Sequence, residues 1–288
     1  MTNKLQKNEQ NTHNLKKTQI KELDIFQHTE KLLLTENYVK IPFPNLDYNQ
    51  EKHPYCGLSL KSAGSMRFRN EETNQNRIDF FTSLGIDIKR IRQPELIHSK
   101  EVFSCYFDEN QLPVYESFLE NKTFNSKVLG DGIITTEKFF VPVITVADCV
   151  PIWFYDPIST VFGVVHSGWK GTGIIENAIK YAEKNYNAKS ENFRIIIGPH
   201  IHNCCYKVDQ ERENYFNTNF AKDSSKNGML SLKKANLYLL EKLGVKPENI
   251  LTSKNCTNCD TRLGSFRRET DATIEKPFTV MSAFIGHF

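Results

Sequence analysis

Residues 141–173 read VPVITVADCVPIWFYDPISTVFGVVHSGWKGTG. Three apolar runs rich in β-branched residues alternate with short polar stretches, which predicts a strand, a tight loop, a second strand, a turn and a third strand. A glycine-flanked loop then opens a helix. Cys149 lies in the first loop, and His166 lies at the far end of the third run. Because buried strands of this kind pair in one sheet, we expect both side chains to lie at the same end of it.

The flanking segments extend this pattern to a single α/β domain over residues 21–288. Apolar residues at helical spacing predict helices, which we place at residues 70–85, 173–185 and 230–243. Short apolar or alternating segments predict strands at residues 87–91, 96–107, 193–197, 250–253 and 278–285. Residues 109–126 are interpreted as an insertion, and residues 21–35 fit a helix or a strand equally well. Residues 1–20 are polar and without periodicity, so we expect a disordered tail.

The composition excludes several classes of protein. The chain has 288 residues, a net charge of +3 and no basic stripe, which argues against nucleic-acid binding. No apolar run reaches the roughly 18–20 residues that span a bilayer, and the N-terminus lacks the apolar core of a secretory signal. Seven cysteines, an odd number, fit reduced thiols better than a disulfide framework. We therefore expect a cytoplasmic protein that does not bind membranes.

One candidate site combines His98, Cys149 and His166. A thiolate and two imidazoles suit Zn²⁺, and three protein ligands leave a fourth position open, which is typical of catalytic zinc. Zinc at such a site lowers the pKa of bound water toward ~7. The alternative is that Cys149 is a small buried apolar side chain and that both histidines belong to the core. Spacing alone leaves both interpretations open, because the three residues are scattered along the chain.

A second candidate is the loop Ser167 to Gly173 at the start of the predicted helix. Free backbone N–H groups and the helix dipole favour an anion there, and Lys170 adds positive charge between Gly168 and Gly171. The loop is not a Walker A motif, because Trp169 separates the first glycine from the lysine. A strand-to-helix turn without a ligand fits the same residues.

Two further charged residues have candidate roles. Arg268 follows another arginine, and such a pair can bind a phosphate in bidentate fashion, although simple solvation at the surface explains it equally well. Asp148 precedes Cys149 and could orient that side chain or carry a proton, and we rank the orienting role higher.

Two cysteine-containing segments carry weaker signals. The first contains two histidines and two adjacent cysteines, namely His200, His202, Cys204 and Cys205. It could be a metal cluster or a redox pair, but adjacent cysteines are poorly placed to chelate together, so we favour a loop that borders the site. The second is a lone C-x-x-C, Cys256 and Cys259, for which a structural zinc would require a second pair of ligands.

Two metal-enzyme classes do not fit the sequence. The H-x-E…P-C-x-x-C signature of zinc nucleobase deaminases is absent. Eight histidines with a single H-x-H pair are too few for a four-copper oxidase.

The central stretch nevertheless resembles a known family. TVADCVPIWFYDP followed by VFGVVHSGWKGT is similar to the TADC…HAGWRG core of the laccase-domain, polyphenol-oxidase-like purine nucleoside phosphorylases, known as the YfiH family. The step of 17 residues from Cys149 to His166 is the family's spacing. Further similarities, in the same order along the chain, are Asn76-Arg77, the GDGIITT segment at Asp131, residues 198–208, and Cys256-Thr followed by the Ser-Phe-Arg-Arg segment that ends at Arg268.

This resemblance implies a layered α/β/β/α domain with mixed sheets and a zinc site formed by His98, Cys149 and His166. It implies a purine nucleoside phosphorylase that cleaves adenosine, inosine and methylthioadenosine, with adenosine deaminase as a side activity. The expected small-molecule partners are purine nucleosides and phosphate, and the expected state is a monomer or weak homodimer. Two alternatives use the same residues: a metal-independent cysteine hydrolase with Cys149 as nucleophile and His166 as base, and a copper-dependent polyphenol oxidase, for which Cu²⁺ would replace zinc.

Overall fold

The structure of the protein is a computed structural model that describes residues 20–27, 33–48, 52–70, 72–270 and 277–288. The predicted tail at residues 1–20 therefore lies outside the described residues, except for Ile20. None of the helices within these ranges is long and apolar enough to cross a membrane.

The larger of two main sheets has nine strands. Their order across the sheet is β1 (Lys21–Leu23), β16 (Ile250–Ser253), β13 (Arg194–Ile197), β11 (Val150–Tyr155), β12 (Phe162–Ser167), β9 (Gly132–Thr135), β6 (Val102–Phe107), β7 (Pro113–Ser117) and β8 (Thr123–Phe124). The pairs β1–β16, β16–β13 and β9–β6 are parallel, and the other pairs are antiparallel. The sheet is therefore mixed.

The smaller main sheet has six strands. Their order is β2 (Leu33–Leu34), β3 (Tyr38–Ile41), β4 (Tyr55–Ser59), β17 (Met281–Gly286), β10 (Val141–Val146) and β5 (Ile91–Arg92). A separate short hairpin consists of β14 (Ser225–Lys226) and β15 (Met229–Leu230). The predicted alternation within residues 141–173 is confirmed, but β10 joins the smaller sheet whereas β11 and β12 join the larger one. The tight loop that contains Cys149 thus connects the two sheets.

The described residues form five α-helices: α1 (Gln75–Ser83), α2 (Ile174–Tyr186), α3 (Gln210–Asn219), α4 (Leu232–Lys242) and α5 (Phe266–Glu269). Apolar residues of α2 and α4 pack on one face of the larger sheet. The other face packs on the smaller sheet, where the indole N–H of Trp153 donates to the carbonyl oxygen of Phe284 at 3.0 Å. Phe80 and Phe81 of α1 cover the outer face of the smaller sheet. The predicted α/β/β/α layering is confirmed.

The three predicted helices are confirmed as α1, α2 and α4. In α2 the residues Ile174, Ala178 and Ala182 recur along one face, and all three are fully buried. The residues were placed correctly because this stripe is encoded locally, in the 3.6-residue period. Helix α3 was not predicted, since Phe216 is its only buried residue and its sequence, QERENYFNTN, carries no apolar stripe.

Two predictions about strands need correction. In the predicted strand 87–91 only Ile91 belongs to a strand, since β5 is Ile91–Arg92 and Ile88–Arg90 form a 3₁₀ turn. His98 lies in a loop before β6, with a left-handed φ of 58°, and not in a strand. The segment 109–126 adds β7 and β8 to the edge of the larger sheet. Residues 21–35, left open by the sequence, form β1 and β2 where they are described.

Candidate active site

The turn that carries Cys149 is held by three other segments of the chain. Asp148 adopts a left-handed φ of 84° between β10 and β11. Its carboxylate accepts hydrogen bonds from the Thr257 hydroxyl and from the backbone N–H of Arg267, both at 2.6 Å. Its carbonyl oxygen accepts from the N–H of Ile201 at 2.9 Å. The Asp148 side chain is therefore directed at the protein framework, and it orients the following residue, Cys149.

His166 lies in β12 and is 2% exposed. Its Nδ1 is 2.8 Å from Oδ1 of Asp131, a carboxylate with no exposed surface. A histidine that donates Nδ1–H to a carboxylate keeps Nε2 as its free acceptor, which is the arrangement found behind metal-binding histidines.

The same carboxylate positions the loop of His98. Asp131 accepts from the backbone N–H of His98 at 3.0 Å, from that of Ser99 at 2.6 Å and from the Ser99 hydroxyl at 2.8 Å. These bonds explain why the chain at His98 is a left-handed turn. One buried side chain thus sets the positions of both histidines. The sequence analysis names Asp131 only as part of the GDGIITT segment and predicts no role for it. The glycine on each side of Asp131 is the only local feature that could have indicated one.

The structure brings His98, Cys149 and His166 together. One ligand atom from each lies within 4.8 Å of those of the other two. Gly168 borders this cluster, because a Cβ at this position would lie 3.0 Å from the Cys149 Sγ and 3.8 Å from the His98 Nδ1. The glycine therefore keeps the space beside the three donors open. His98 is exposed, Cys149 is partly exposed and His166 is buried, so the cluster is accessible from one side.

The electrostatics of the cluster favour positive charge. Burial lowers the pKa of His166, but the charge of Cys149 and the hydrogen bond with Asp131 outweigh it and raise the pKa to about 10. Burial raises the pKa of Asp131, but its hydrogen bond with His166 brings it below the ordinary value. The pKa of His98 is lowered, first by burial and then by the positive charge of His166. The negative charges of Cys149 and Asp131 that favour a proton on His166 also favour a metal cation. The donor set of two imidazoles and one thiolate fits zinc.

The glycine loop after His166 carries positive charge. Helix α2 begins after Gly173, whose φ is 111°, and no side chain caps its N-terminus. The guanidinium of Arg212, from the unpredicted helix α3, lies 4.1 Å from the ring centroid of Trp169, and the Lys170 Nζ lies 5.4 Å from it. The Lys100 Nζ is 3.1 Å from the position that a Cβ would take at Gly173. Sequence reasoning found Lys170 but missed Arg212 and Lys100.

Gly171 serves the packing of this loop. A Cβ there would lie 2.6 Å from the backbone oxygen of Ser99, which is closer than real Cβ contacts. Only glycine therefore allows the loop after β12 to touch the loop that carries His98.

Arg268 is not placed for phosphate binding. Its two terminal nitrogens donate to the backbone oxygens of Thr257, Asn258, Asp260 and Leu263 and to the carboxylate of Glu269. They hold the loop that supports Asp148. The guanidinium of the neighbouring Arg267 lies 5.6 Å from the ring centroid of Tyr206.

Comparison with known proteins assigns the family. A family model described as "Multi-copper polyphenol oxidoreductase laccase" matches residues 51–274. The chain belongs to this laccase-like family. Over 262 residues, covering 84% of this chain and 95% of the relative, it is 32% identical to "Purine nucleoside phosphorylase SERP0752" of Staphylococcus epidermidis.

Other relatives match over shorter regions. "Purine nucleoside phosphorylase YlmD" of Bacillus subtilis is 33% identical over 54% of this chain and 58% of its own length. "Purine nucleoside phosphorylase LACC1" of Mus musculus is 32% identical over 45% of this chain and 32% of its own length. With most of these curated relatives, the matching region thus spans less than two thirds of the relative.

Two solved structures share the fold. The Bacillus licheniformis hypothetical protein YfiH has a TM-score of 0.71 at 23% identity and covers 90% of this chain and 99% of its own. YlmD from Geobacillus stearothermophilus has a TM-score of 0.71 at 24% identity and covers 92% and 99%.

Proposed function

We propose that this protein is a zinc-dependent purine nucleoside phosphorylase that acts on adenosine, inosine and methylthioadenosine, with adenosine deaminase as a side activity. The observation that supports it is the convergence of His98, Cys149 and His166 beside a positively charged glycine loop. The names of the relatives support the reaction class. The enzyme would belong to the glycosyltransferases.

In this proposal, His98, Cys149 and His166 hold the zinc ion. When bound, zinc would supply Lewis-acid polarisation to a polar substrate group. Asp131 keeps a proton on Nδ1 of His166, so that Nε2 faces the site. Asp148 keeps the Cys149 turn in place through its bonds to Thr257 and Arg267.

Phosphorolysis needs a bound phosphate near the anomeric carbon. A phosphate oxygen forms a bond to this carbon while the glycosidic C–N bond breaks, and the electron pair and a proton go to the purine. We assign the phosphate to the loop Gly168–Gly173, where Lys170, Arg212 and the N-terminus of α2 supply positive charge and N–H donors. Arg268 is left out of this role because its terminal nitrogens are already engaged.

One observation favours a second candidate, a cysteine hydrolase. Cys149 lies within 4.8 Å of His166, which is hydrogen-bonded to Asp131, and a nucleophile, a base and an orienting carboxylate are arranged in this order in such enzymes. His98 distinguishes the two candidates, since the hydrolase does not need it and the zinc site does.

The test is to incubate the purified protein with adenosine and phosphate and to identify the products by mass. Adenine with ribose 1-phosphate supports phosphorolysis, and inosine supports deamination. Omitting phosphate should remove the first pair of products and leave the second reaction intact. Oxygen consumption with a phenol and Cu²⁺, in the absence of nucleoside turnover, would instead support the copper oxidase. If the zinc-loaded protein forms neither ribose 1-phosphate with adenine nor inosine, the proposal is contradicted.

We further propose that the protein acts in the cytoplasm as a monomer or weak homodimer. All seven cysteines are free thiols, which agrees with a reducing compartment. Fractionation of cells and sedimentation of the purified chain test these two points.

A further inference from the structure

Four cysteines that the sequence left unassigned form one cluster. The Sγ atoms of Cys204, Cys205, Cys256 and Cys259 all lie within 4.8 Å of one another. The Sγ–Sγ distance is 3.6 Å for Cys204–Cys205, 3.7 Å for Cys204–Cys259 and 3.3 Å for Cys205–Cys259. The C-x-x-C, which is isolated in the sequence, thus lies beside a second pair of cysteines in the structure.

Strand pairing explains why the two pairs meet. Cys204 and Cys205 follow β13, and Cys256 and Cys259 follow β16, which lies parallel beside it. Parallel neighbours bring their carboxyl ends to the same edge of a sheet. Beyond the strands, His200 and Cys256 continue the parallel pairing, and the N–H of Thr257 donates to the oxygen of His200 at 3.0 Å.

We propose that Cys204, Cys205, Cys256 and Cys259 bind one zinc ion as a closed tetrathiolate site with a structural role. Zinc–sulfur bonds of about 2.3 Å place the sulfurs of a tetrahedral site roughly 3.8 Å apart. The three observed separations of 3.3–3.7 Å are close to this value. All-sulfur coordination without an open position is typical of structural zinc.

The surroundings support thiolate ligands. The backbone N–H of His202 lies 3.3 Å from the Cys256 Sγ and donates to it. Lys254 lines the same cleft as three of the cysteines, so positive charge lies near a site whose four thiolates exceed the charge of the metal by two, whereas Arg262 in this cleft is paired with Asp260 at 2.7 Å. Cys204 and Cys259 are exposed and Cys256 is buried, which leaves an entry path for the ion.

The cluster is connected to the candidate active site. Thr257 lies between the two cysteines of the C-x-x-C, and its hydroxyl donates to Asp148. Ile201, in the loop before Cys204, donates its N–H to the carbonyl of Asp148. A metal ion that joins the two loops would therefore stabilise the turn that carries Cys149. This site does not depend on the proposed function.

Metal content of the purified protein tests the proposal. Cys259→Ser and Cys204→Ser should each lose one zinc per chain relative to wild type, whereas Cys105→Ala, which removes a buried cysteine far from the cluster in sequence, should lose none. Cys149→Ser reports on the other site separately. If only the tetrathiolate exists, wild type carries one zinc and Cys259→Ser carries none. Unchanged zinc in Cys259→Ser, or iron in place of zinc, would overturn the proposal.

A second measurement uses the native protein and so does not depend on how the variants fold. Alkylation followed by peptide mapping should show Cys204, Cys205 and Cys259 protected as isolated and reactive after a chelator is added, with at least a tenfold difference in rate. Equal reactivity under both conditions, or a disulfide between Cys205 and Cys259 in protein purified under reducing conditions, would contradict a zinc site.

Discussion

Two clusters of potential metal ligands lie near the turn at Asp148. They differ in their donor atoms, in the side chains that support these donors and in the space left open beside them. The first, at His98, Cys149 and His166, combines nitrogen and sulfur donors, has a buried carboxylate behind it and is kept open by Gly168. The second consists of four sulfur donors. An open mixed site suits catalysis, and a closed sulfur site suits stabilisation. The two proposals therefore assign catalysis to the first cluster and stabilisation to the second.

The largest expected effect separates the two clusters by activity. His98→Gln removes one donor from an exposed position, so the melting temperature of the metal-free protein should stay within 2 °C or so, as for a surface change. Phosphorolysis should fall by about 10²–10³-fold, because Lewis-acid catalysis is worth several kcal/mol. Steady-state assays with adenosine and phosphate measure this loss. Full activity in His98→Gln would favour the hydrolase built on Cys149, His166 and Asp131.

The second prediction separates the clusters by stability. Loss of the tetrathiolate in Cys259→Ser should cost about 3 kcal/mol, which corresponds to a fall in melting temperature of roughly 6–12 °C for a chain of this size. The comparison is made in the His98→Gln variant, in which only the four-cysteine cluster can still bind a metal. A chelator should lower the melting temperature of His98→Gln and leave that of the double variant His98→Gln/Cys259→Ser unchanged. An equal chelator effect in both proteins would mean that the four cysteines hold no metal.

The third prediction concerns the carboxylate that links both histidines. Asp131→Asn keeps one acceptor oxygen and replaces the other by an N–H₂ donor. This donor would face either the backbone N–H groups of the His98 loop or the Nδ1–H of His166, so one set of hydrogen bonds is lost. Zinc affinity at the first cluster should fall by about 10–100-fold, as for other partners of metal-binding histidines. Competition with a chelator measures it, with Asp108→Asn, in an exposed turn, as the control. The tetrathiolate should keep its zinc in both variants.

The fourth prediction tests the anion-binding role of the glycine loop. Lys170→Gln should raise the KM for phosphate by about tenfold with little change in kcat, because it removes a charge that contacts phosphate in the ground state and transition state alike. Lys180→Gln, on an exposed turn of α2, is the control. A change in the KM for adenosine alone would place phosphate elsewhere.

The smallest effect concerns the segment that supports Asp148 from the side of α5. Burial raises the pKa of Glu269, but its hydrogen bonds with Thr279 and Ser265 and its ion pair with Lys61 lower it from 4.5 to about 2. Because the folded-state pKa is lowered, the stabilisation is present above pH 4.5 and is lost as the pH falls toward 2.

Glu269→Gln should therefore reduce stability by about 1 kcal/mol at pH 7. The difference from wild type should shrink as the pH is lowered from 4.5 toward 3. Urea unfolding at a series of pH values measures both quantities. A difference that grows toward low pH would contradict this role of the carboxylate.

Sequence reasoning performed differently on the two clusters, for a physical reason. Cys149 lies in the loop before β11 and His166 lies in β12, and because these strands are neighbours in the chain, the alternation of apolar runs was enough to bring the two residues together. The pair after β13 and the pair after β16 are joined by a parallel pairing between strands that are separated by α3 and α4. No local pattern encodes that pairing, and adjacent cysteines gave a reason to discount it.

The charged residues follow the same division. Lys170 was found because it lies within the glycine loop itself, whereas Arg212 comes from α3, a helix without an apolar stripe. Arg268 was expected at the phosphate because of its charge, yet folding places its terminal nitrogens against backbone oxygens. A charge is visible in the sequence, but its partner is decided by which loops meet.

The sequence alone predicted the strand–loop–strand–helix core of residues 141–173, and the motifs within it indicated the family, whose resemblance implied the three donors. The core could be predicted because its periodicity and short-range spacing are encoded in consecutive residues. Three features could be seen only in the tertiary structure. Asp131 fixes the positions of both histidines, His98 lies in a left-handed turn, and four cysteines without an assigned role meet at one edge of the sheet. Each of these depends on contacts between distant segments, whose energy exists only after the sheets have paired and packed.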